Sequence, residues 1–242
     1  MSNIVVCKGE GALENQAEEI AQNLGLALVT EPGSELTLLV DKDGVALMGY
    51  GLSFRGDFEN MLRRVTNGRI QHEMIARLVK TKGENPRAID ATAGMGEDSI
   101  LLAACGYKVT MFEQNPVIAE LLKDAMRRAK NHPELGPLME RMTLIQGNSI
   151  EIMPTMEREN DIIFLDPMFP ARQKSGLINK KLQLIQKLEQ PCLQEEELLD
   201  AAIKAKPKKI IIKRPLKGSN LAGRRPSYSI KGKAIRYDCI VL

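Results

Sequence analysis

No tryptophan occurs in the 242 residues of this chain, and aromatic residues of every kind make up only 4% of it. Any core must therefore be filled by aliphatic side chains, and a hydrophobic content of 43% is enough to fill one. Histidine is almost missing, with His72 and His132 alone. The four cysteines, Cys7, Cys105, Cys192 and Cys239, are scattered and form no C-x-x-C pair. That spacing speaks against a disulfide framework and against a zinc site, so no metal is expected and a reducing cytoplasm is the expected compartment. No apolar run reaches the roughly 20 residues that cross a bilayer. The start, MSNIVVCKGEGALENQ, lacks a basic segment ahead of a long apolar stretch, so neither a secretory signal nor a membrane partner is expected. A monomer is the expected state.

Charge is present in both signs and unevenly placed. The net charge is +3, yet residues 170–242 hold 17 Lys and Arg against 6 Asp and Glu, while residues 1–169 hold 17 against 25. A single lysine at a strand or helix end is commonly just solvated. A whole basic third suggests one face built for a polyanion.

The pattern of apolar residues divides the chain at Thr66-Asn67-Gly68. Residues 1–66 read as a small α+β subdomain: IVVC as a strand, ALENQAEEIAQNLG as a helix ending at Gly25, LALVT as a strand, and ELTLLVDKDGVALMGY as a hairpin about Asp43-Gly44. RIQHEMIARLVK places Ile70, Met74, Ile75, Leu78 and Val79 on one face of a helix. From residue 86 to the end, strands and helices alternate. The strands are RAIDATAG, YKVTMFEQ, MTLIQGNS, DIIFLD and KKIIIKRP, followed by a closing pair in YSIKGKAIRYDCIVL. The helices are DSILLAACG closed by Gly106, a stretch opened by Asn115-Pro116 and running to about Lys130, a start capped by Ser149, and EEELLDAAIKAK. Strands of consecutive Ile, Leu and Val fit a sheet buried on both faces. The fold class is therefore α/β: an open, mostly parallel sheet over residues 67–242 with a C-terminal antiparallel strand, plus the small N-terminal unit.

In open parallel sheets a ligand sits beyond the carboxyl ends of the strands. Those ends carry residues 90–98, Glu113-Gln114, residues 147–149 and residues 166–169, four segments on one rim. DATAGMGEDS sets Asp90 at a strand end and Gly94 and Gly96 in the turn before a helix. Ser99 occupies the third glycine position of a dinucleotide loop, and Glu97 and Asp98 put negative charge where a phosphate would need to sit. A cationic nucleoside without phosphate fits better. Glu113 follows about twenty residues after the loop, where an acidic side chain accepts hydrogen bonds from ribose hydroxyls. S-adenosylmethionine (SAM) satisfies all of these groups.

DATAGMGEDSILLAACG, MFEQNP, QGNS and FLDPMFPARQKSG occur in that order and resemble the ribosomal small-subunit RNA methyltransferase J family, which methylates the exocyclic N2 amine of a guanosine in 16S rRNA. The resemblance runs from about residue 53 to the end and more loosely over the N-terminal unit. It implies a class I methyltransferase fold of Rossmann-like type, with cofactor contacts at Glu97, Asp98, Glu113, Gln114, Asn148, Ser149 and Asp166. It also implies 16S rRNA or a small-subunit particle as partner. This sequence has Glu97, Gln114 and Asn148 where that family has arginine, arginine and serine.

D-P-M-F also resembles the D/N-P-P-Y/F motif of enzymes that methylate planar amines. Such an amine is a poor nucleophile because its lone pair is delocalised into the ring. Asp166 and the carbonyl of Pro167 can take its two N–H groups and aim the lone pair, so positioning supplies much of the rate. Phe169 can stack on an extruded base, and Pro167 and Pro170 stiffen the arrangement. Arg172, Lys174, Lys213, Arg214, Arg224 and Arg225 are the candidate RNA phosphate contacts. Adenine in DNA or a glutamine amide in a protein would suit the same chemistry. An RNA-binding module without catalysis, or a nicotinamide oxidoreductase, accounts less well for these acidic positions.

Overall fold

A computed structural model of the protein describes residues 4–13, 15–33, 36–66, 68–80, 84–157, 160–168, 180–188 and 193–242. The N-terminal elements are β1 (Ile4–Lys8), α1 (Gln16–Leu24), β2 (Ala27–Val29), β3 (Leu36–Asp41), β4 (Gly44–Gly49), β5 (Leu52–Arg55), α2 (Leu62–Val65) and α3 (Met74–Leu78). They are followed by β6 (Arg87–Asp90), α4 (Glu97–Ala104), β7 (Lys108–Glu113), α5 (Pro116–Ala129), α6 (Gly136–Met139), β8 (Met142–Gln146) and α7 (Ser149–Ile152). The chain closes with β9 (Ile162–Leu165), α8 (Lys180–Leu188), α9 (Glu195–Lys204), β10 (Lys209–Pro215), β11 (Tyr228–Lys231) and β12 (Ile235–Val241).

The larger sheet has the order β11-β12-β10-β9-β6-β7-β8. Strands β6 to β10 pair in parallel, while β12 runs antiparallel to both β10 and β11. The consecutive aliphatics of β9 have alternate residues on opposite faces. Ile162 and Phe164 join a core with Val109, Met111 and Ile211 beneath α4 and α5. Ile163 and Leu165 join a second core with Ile89, Ile210 and Ile212 beneath α9. All four residues of β9 are buried, each contributing about 1.5–3 kcal/mol by leaving water. With tryptophan absent, the largest buried rings are Tyr107, Phe112 and Phe164.

The smaller sheet has the order β2-β1-β3-β4-β5, with the expected hairpin joining β3 to β4 and a further strand, β5, not foreseen from the sequence. Its core takes Val117 and Leu121 from α5 and Leu184 from α8 as well as Ile20 from α1. Asp124 of α5, 2% exposed, accepts hydrogen bonds from the amide of Val45 at 3.0 Å and from Arg128 Nε at 2.8 Å, and pairs with Arg127 at 2.8 Å. Arg128 also donates to the Gly56 carbonyl. Ahead of residue 66, Phe58, Met61 and Val65 pack into the core of the larger sheet.

Two local expectations need correction. The helix expected over RIQHEMIARLVK is a 3-10 turn at Arg69–His72 and then α3, parted by Glu73 in an extended conformation. The Glu73 carboxylate is gripped by Arg64 through two contacts of 2.8 Å, which fixes the break. The cap of α7 is Asn148, whose side chain accepts from the Ile150 amide at 3.0 Å, and Ser149 is the buried first residue of that helix. The Asn115 cap of α5, accepting from Val117 and Ile118 ahead of Pro116 in the first turn, is as expected. Among the described residues no helix is long and apolar enough to cross a membrane.

Candidate functional site

A cavity of about 780 Å³ opens at the carboxyl ends of the parallel strands, within the size range of small-ligand sites. Its wall includes Gly94, Glu97, Asp98, Glu113, Gln114, Asn148, Ser149, Asp166 and Pro167, from four separate strand ends. Two contributions were not foreseen. Helix α8 presents Ile185 and Leu188, and β10 presents Lys213. The Asn115 side chain, already the cap of α5, donates to the Leu188 carbonyl at 3.0 Å and so ties the end of α8 to the rim.

The loop between β6 and α4 is held from behind. Asp90 is 1% exposed and does not reach the cavity wall. It accepts from the Ser99 hydroxyl at 2.5 Å and from the Thr92 amide at 3.1 Å. Burial, only partly offset by the Ser99 hydroxyl, pushes its carboxyl up to about 7. Gly96 is likewise behind the wall: at φ 75°, a side chain there would meet Leu122 and Phe58. Gly94, at φ 52°, has open space where a side chain would project, so the backbone itself faces the cavity. Its amide donates to Glu113 Oε2 at 3.0 Å, and the Asn115 amide donates to Oε1 at 2.7 Å. Glu113 thus fixes two turns while its carboxylate, raised by burial against those amide bonds, lines the site. Gln114 and Glu97 are exposed on the rim. Asn148 uses its side chain as the cap of α7 and toward Glu151 at 3.1 Å.

At the end of β9 the Asp166 amide donates to Thr92 Oγ1 at 2.7 Å, joining the β9 and β6 ends. Thr92 stands in the DATAG segment, but nothing local shows that it would reach residue 166. The Lys213 ammonium lies 2.6 Å from Asp98 Oδ2 and 2.8 Å from Asp166 Oδ2. Burial works against that ammonium, but the two carboxylates outweigh it and hold Lys213 far above the ordinary lysine range. Burial pushes Asp166 up, and Lys213 acts in the opposite direction.

Lys213 is therefore not an RNA phosphate contact, because its charge is taken up by two carboxylates inside the cavity. Arg214 is not one either. Its side chain is 2% exposed and is engaged by Ser219 and by Glu195 at 3.1 Å. The two residues are neighbours on a strand, so they point to opposite faces, Lys213 toward α4 and Arg214 toward α9. Arg224 and Arg225 are exposed. Phe169, Arg172 and Lys174 lie outside the described residues. No cluster of three His, Cys, Asp or Glu side chains suited to a metal occurs among the described residues.

The described wall carries four carboxylates, Glu97, Asp98, Glu113 and Asp166, against one lysine. Such a wall rejects phosphate and suits a nucleoside bearing positive charge, which fits SAM with its sulfonium and ammonium groups.

Comparison with known proteins agrees with this geometry. The family model described as "Putative SAM-dependent methyltransferase" matches residues 19–242. Ribosomal RNA small subunit methyltransferase J of Pseudomonas aeruginosa is 36% identical over 230 residues, 92% of this chain and 88% of that protein. The protein of the same name from Aeromonas salmonicida is 41% identical over 182 residues, 74% of this chain and 72% of its own length. Among solved structures, a SAM-dependent methyltransferase from Neisseria gonorrhoeae superimposes with a TM-score of 0.74 at 31% identity, over 98% of this chain and 95% of that one.

Proposed function

This chain belongs to the ribosomal RNA small subunit methyltransferase J family of SAM-dependent enzymes, and from that premise we propose that it methylates the exocyclic N2 amine of a guanosine in 16S rRNA. The observation that carries the reading is the placement of Asp166 and Pro167. They end a buried strand on the wall of the acidic cavity, with a third of the Asp166 side chain exposed. SAM supplies a methyl group made electrophilic by its sulfonium. Glu113 would hold the ribose hydroxyls, with the Gly94 backbone beside it, while Asp98 and Glu97 favour the positive charge.

Asp166 and the Pro167 carbonyl would accept the two N–H groups of the amine and draw the nitrogen toward a tetrahedral shape. That exposes its lone pair in the direction of the methyl group, and positioning of this kind supplies much of the rate. The methylated nitrogen is strongly acidic, so water or Asp166 can take its proton and no histidine is required. Phe169 would stack on the extruded base, and Arg172 and Lys174 would meet the backbone near it. We place the reaction in the cytoplasm, on a monomeric enzyme acting on 16S rRNA or on a small-subunit particle.

Mass spectrometry of 16S rRNA nucleosides from cells with and without this protein tests the assignment. The expected result is loss of one N2-methylguanosine from the rRNA, restored by the wild-type chain. An unchanged guanosine profile, or loss of a methylated adenine instead, would reject the guanine-N2 assignment.

A further inference from the structure

Lys213 sits between two carboxylates that the reaction treats differently. Asp98 lies in the first turn of α4 and Asp166 directly follows β9, and both line the cavity; on the reading above, Asp166 is the one that holds the amine. The ammonium reaches Oδ2 of each, at 2.6 and 2.8 Å. Two carboxylates brought this close without a cation would repel, and one of them would take up a proton or swing away. We propose that Lys213 is a positioning residue for methyl transfer: it holds Asp166 by Oδ2 against Asp98, keeping the carboxylate ionised and leaving Oδ1 for an N–H of the acceptor amine. The proposal rests on the reading of Asp166 as the group that holds the amine.

The surroundings support this assignment. Lys213 lies in register with Tyr237 of β12, which is 4% exposed and is held above the ordinary tyrosine range chiefly by burial. The charged and titratable groups around the pair are Asp90 and Asp98 on the acidic side, and Arg64, Arg214 and Tyr237 on the other elements. Arg64 is committed to Glu73, and Arg214 to Glu195 and Ser219. Lys213 is thus the cation in direct contact with Asp166 among the described residues. Burial alone raises the Asp166 carboxyl and Lys213 lowers it, so removing the ammonium must raise it further. An acidic group that must be ionised to work then loses function at a higher pH than before.

The test is single-turnover methylation of small-subunit RNA or particles, at saturating cofactor and RNA, across pH, with Lys213→Met, Lys213→Arg and Asp166→Ala. Lys213→Met is expected to slow the transfer about a hundredfold at neutral pH, the cost typical of a misplaced reacting group. Its acidic limb should move to higher pH, and Lys213→Arg should restore both rate and limb. Lys213→Gln, which keeps a polar tip at similar length, replaces the methionine variant if that one does not fold. If Asp166→Ala is inactive while Lys213→Met keeps the wild-type rate and pH profile, the Lys213 proposal falls and the Asp166 reading stands. A loss that is uniform across pH and not restored by arginine reduces Lys213 to a structural role and also overturns it. Weaker RNA binding with a flattened salt slope and an unchanged saturated rate would make it a phosphate contact instead. Wild-type activity in Asp166→Ala would remove the reading beneath both.

Discussion

Asp90 and Glu113 are both buried carboxyls next to the same loop, and their surroundings set them different tasks. Glu113 directs its oxygens at the amides of Gly94 and Asn115, and it still faces the cavity. Replacing it with alanine removes an acceptor from the ligand and also frees the turn that presents Gly94. Losing one buried hydrogen-bond partner typically costs about 1–3 kcal/mol. Calorimetric titration of SAM or S-adenosylhomocysteine should therefore show binding roughly tenfold or more weaker, and equal affinity in a folded variant would take Glu113 out of the site. Asp90 titrates near 7 in the folded protein and from about 3.8 when exposed. Between those values the native state keeps a proton that the unfolded chain has released, so this group's contribution to stability falls as pH rises through that window. Above it the folded protein carries a buried carboxylate with its full desolvation penalty. Asp90→Asn keeps an acceptor for the Thr92 amide and can donate to the Ser99 hydroxyl, which turns to accept, without titrating. Urea unfolding at a series of pH values should show a gain on the order of 2–4 kcal/mol above neutrality and a flatter decline between pH 4 and 7. Parallel curves for variant and wild type would mean that Asp90 stays ionised throughout.

Between elements, a polar contact between the β3–β4 turn and α5 adds to the apolar packing that joins the small sheet to the large domain. The β3–β4 turn closes at Gly44, with φ 110°, and a side chain there would lie 2.5 Å from Asp124 Oδ2. Asp124 at once holds the Val45 amide, Arg127 and Arg128, so Asp124→Ala leaves a buried amide and two guanidiniums without that partner. The orphaned Val45 amide costs about 1–3 kcal/mol, while Arg127 and Arg128 are partly exposed and regain water, and Gly44→Ala disturbs the same contact by steric clash. Urea unfolding of both single variants and the double should show large single losses and a double far short of their sum, because the two changes break one contact. Strict additivity would separate the turn from α5. None of this was legible in the sequence beyond the Asp43-Gly44 turn itself. Local signals did give the runs of consecutive aliphatics that became β6 to β10, the Asn115-Pro116 cap, and the closing pair β11 and β12. What failed was tertiary. Glu73 breaks an apparently continuous helix because Arg64 reaches it, β5 pairs with β4 without a strong pattern of its own, and α8 is anchored by laying Leu184 in one core and Leu188 on the cavity. At the candidate site, Asp166 and Pro167 were legible as a strand end and lie on the cavity wall, while Phe169 of the same motif lies outside the described residues. The site was misread at Lys213 and Arg214, where adjacent cations looked alike but face opposite sides of the sheet.

Over the whole molecule, the surplus of positive charge in residues 170–242 can now be divided by position. Lys213, Arg214 and Arg236 are committed internally: Lys213 to carboxylates, Arg214 to Glu195 and Ser219, and Arg236 to Asp238 at 2.9 Å and to carbonyls of the 215–219 loop. Lys217, Arg224, Arg225, Lys231 and Lys233 are exposed. Strand β11 runs parallel to β10 through the shared neighbour β12, and Lys231 stands level with Arg236 and hence with Arg214. The turn after Lys231 therefore projects beyond the same rim that carries Asp166, on the β11 edge. Arg225 and Lys231 line one shallow depression there, beside Gly218 and Asn220. An RNA presenting its base to Asp166 would lay its backbone along this edge, and each phosphate neutralised would release counterions. Replacing Arg224, Arg225 and Lys231 with alanine should weaken RNA binding and flatten the plot of log affinity against log salt by about 0.7–0.9 for each phosphate no longer neutralised. Cofactor affinity should not change, since none of the three lines the main cavity. Lys213→Met, in contrast, should leave the salt slope as it is, because its charge is already balanced inside the site. Filter binding across a salt series measures both slopes. An unaltered slope in the triple variant would move the RNA path off the β11 edge and onto the opposite side of Asp166.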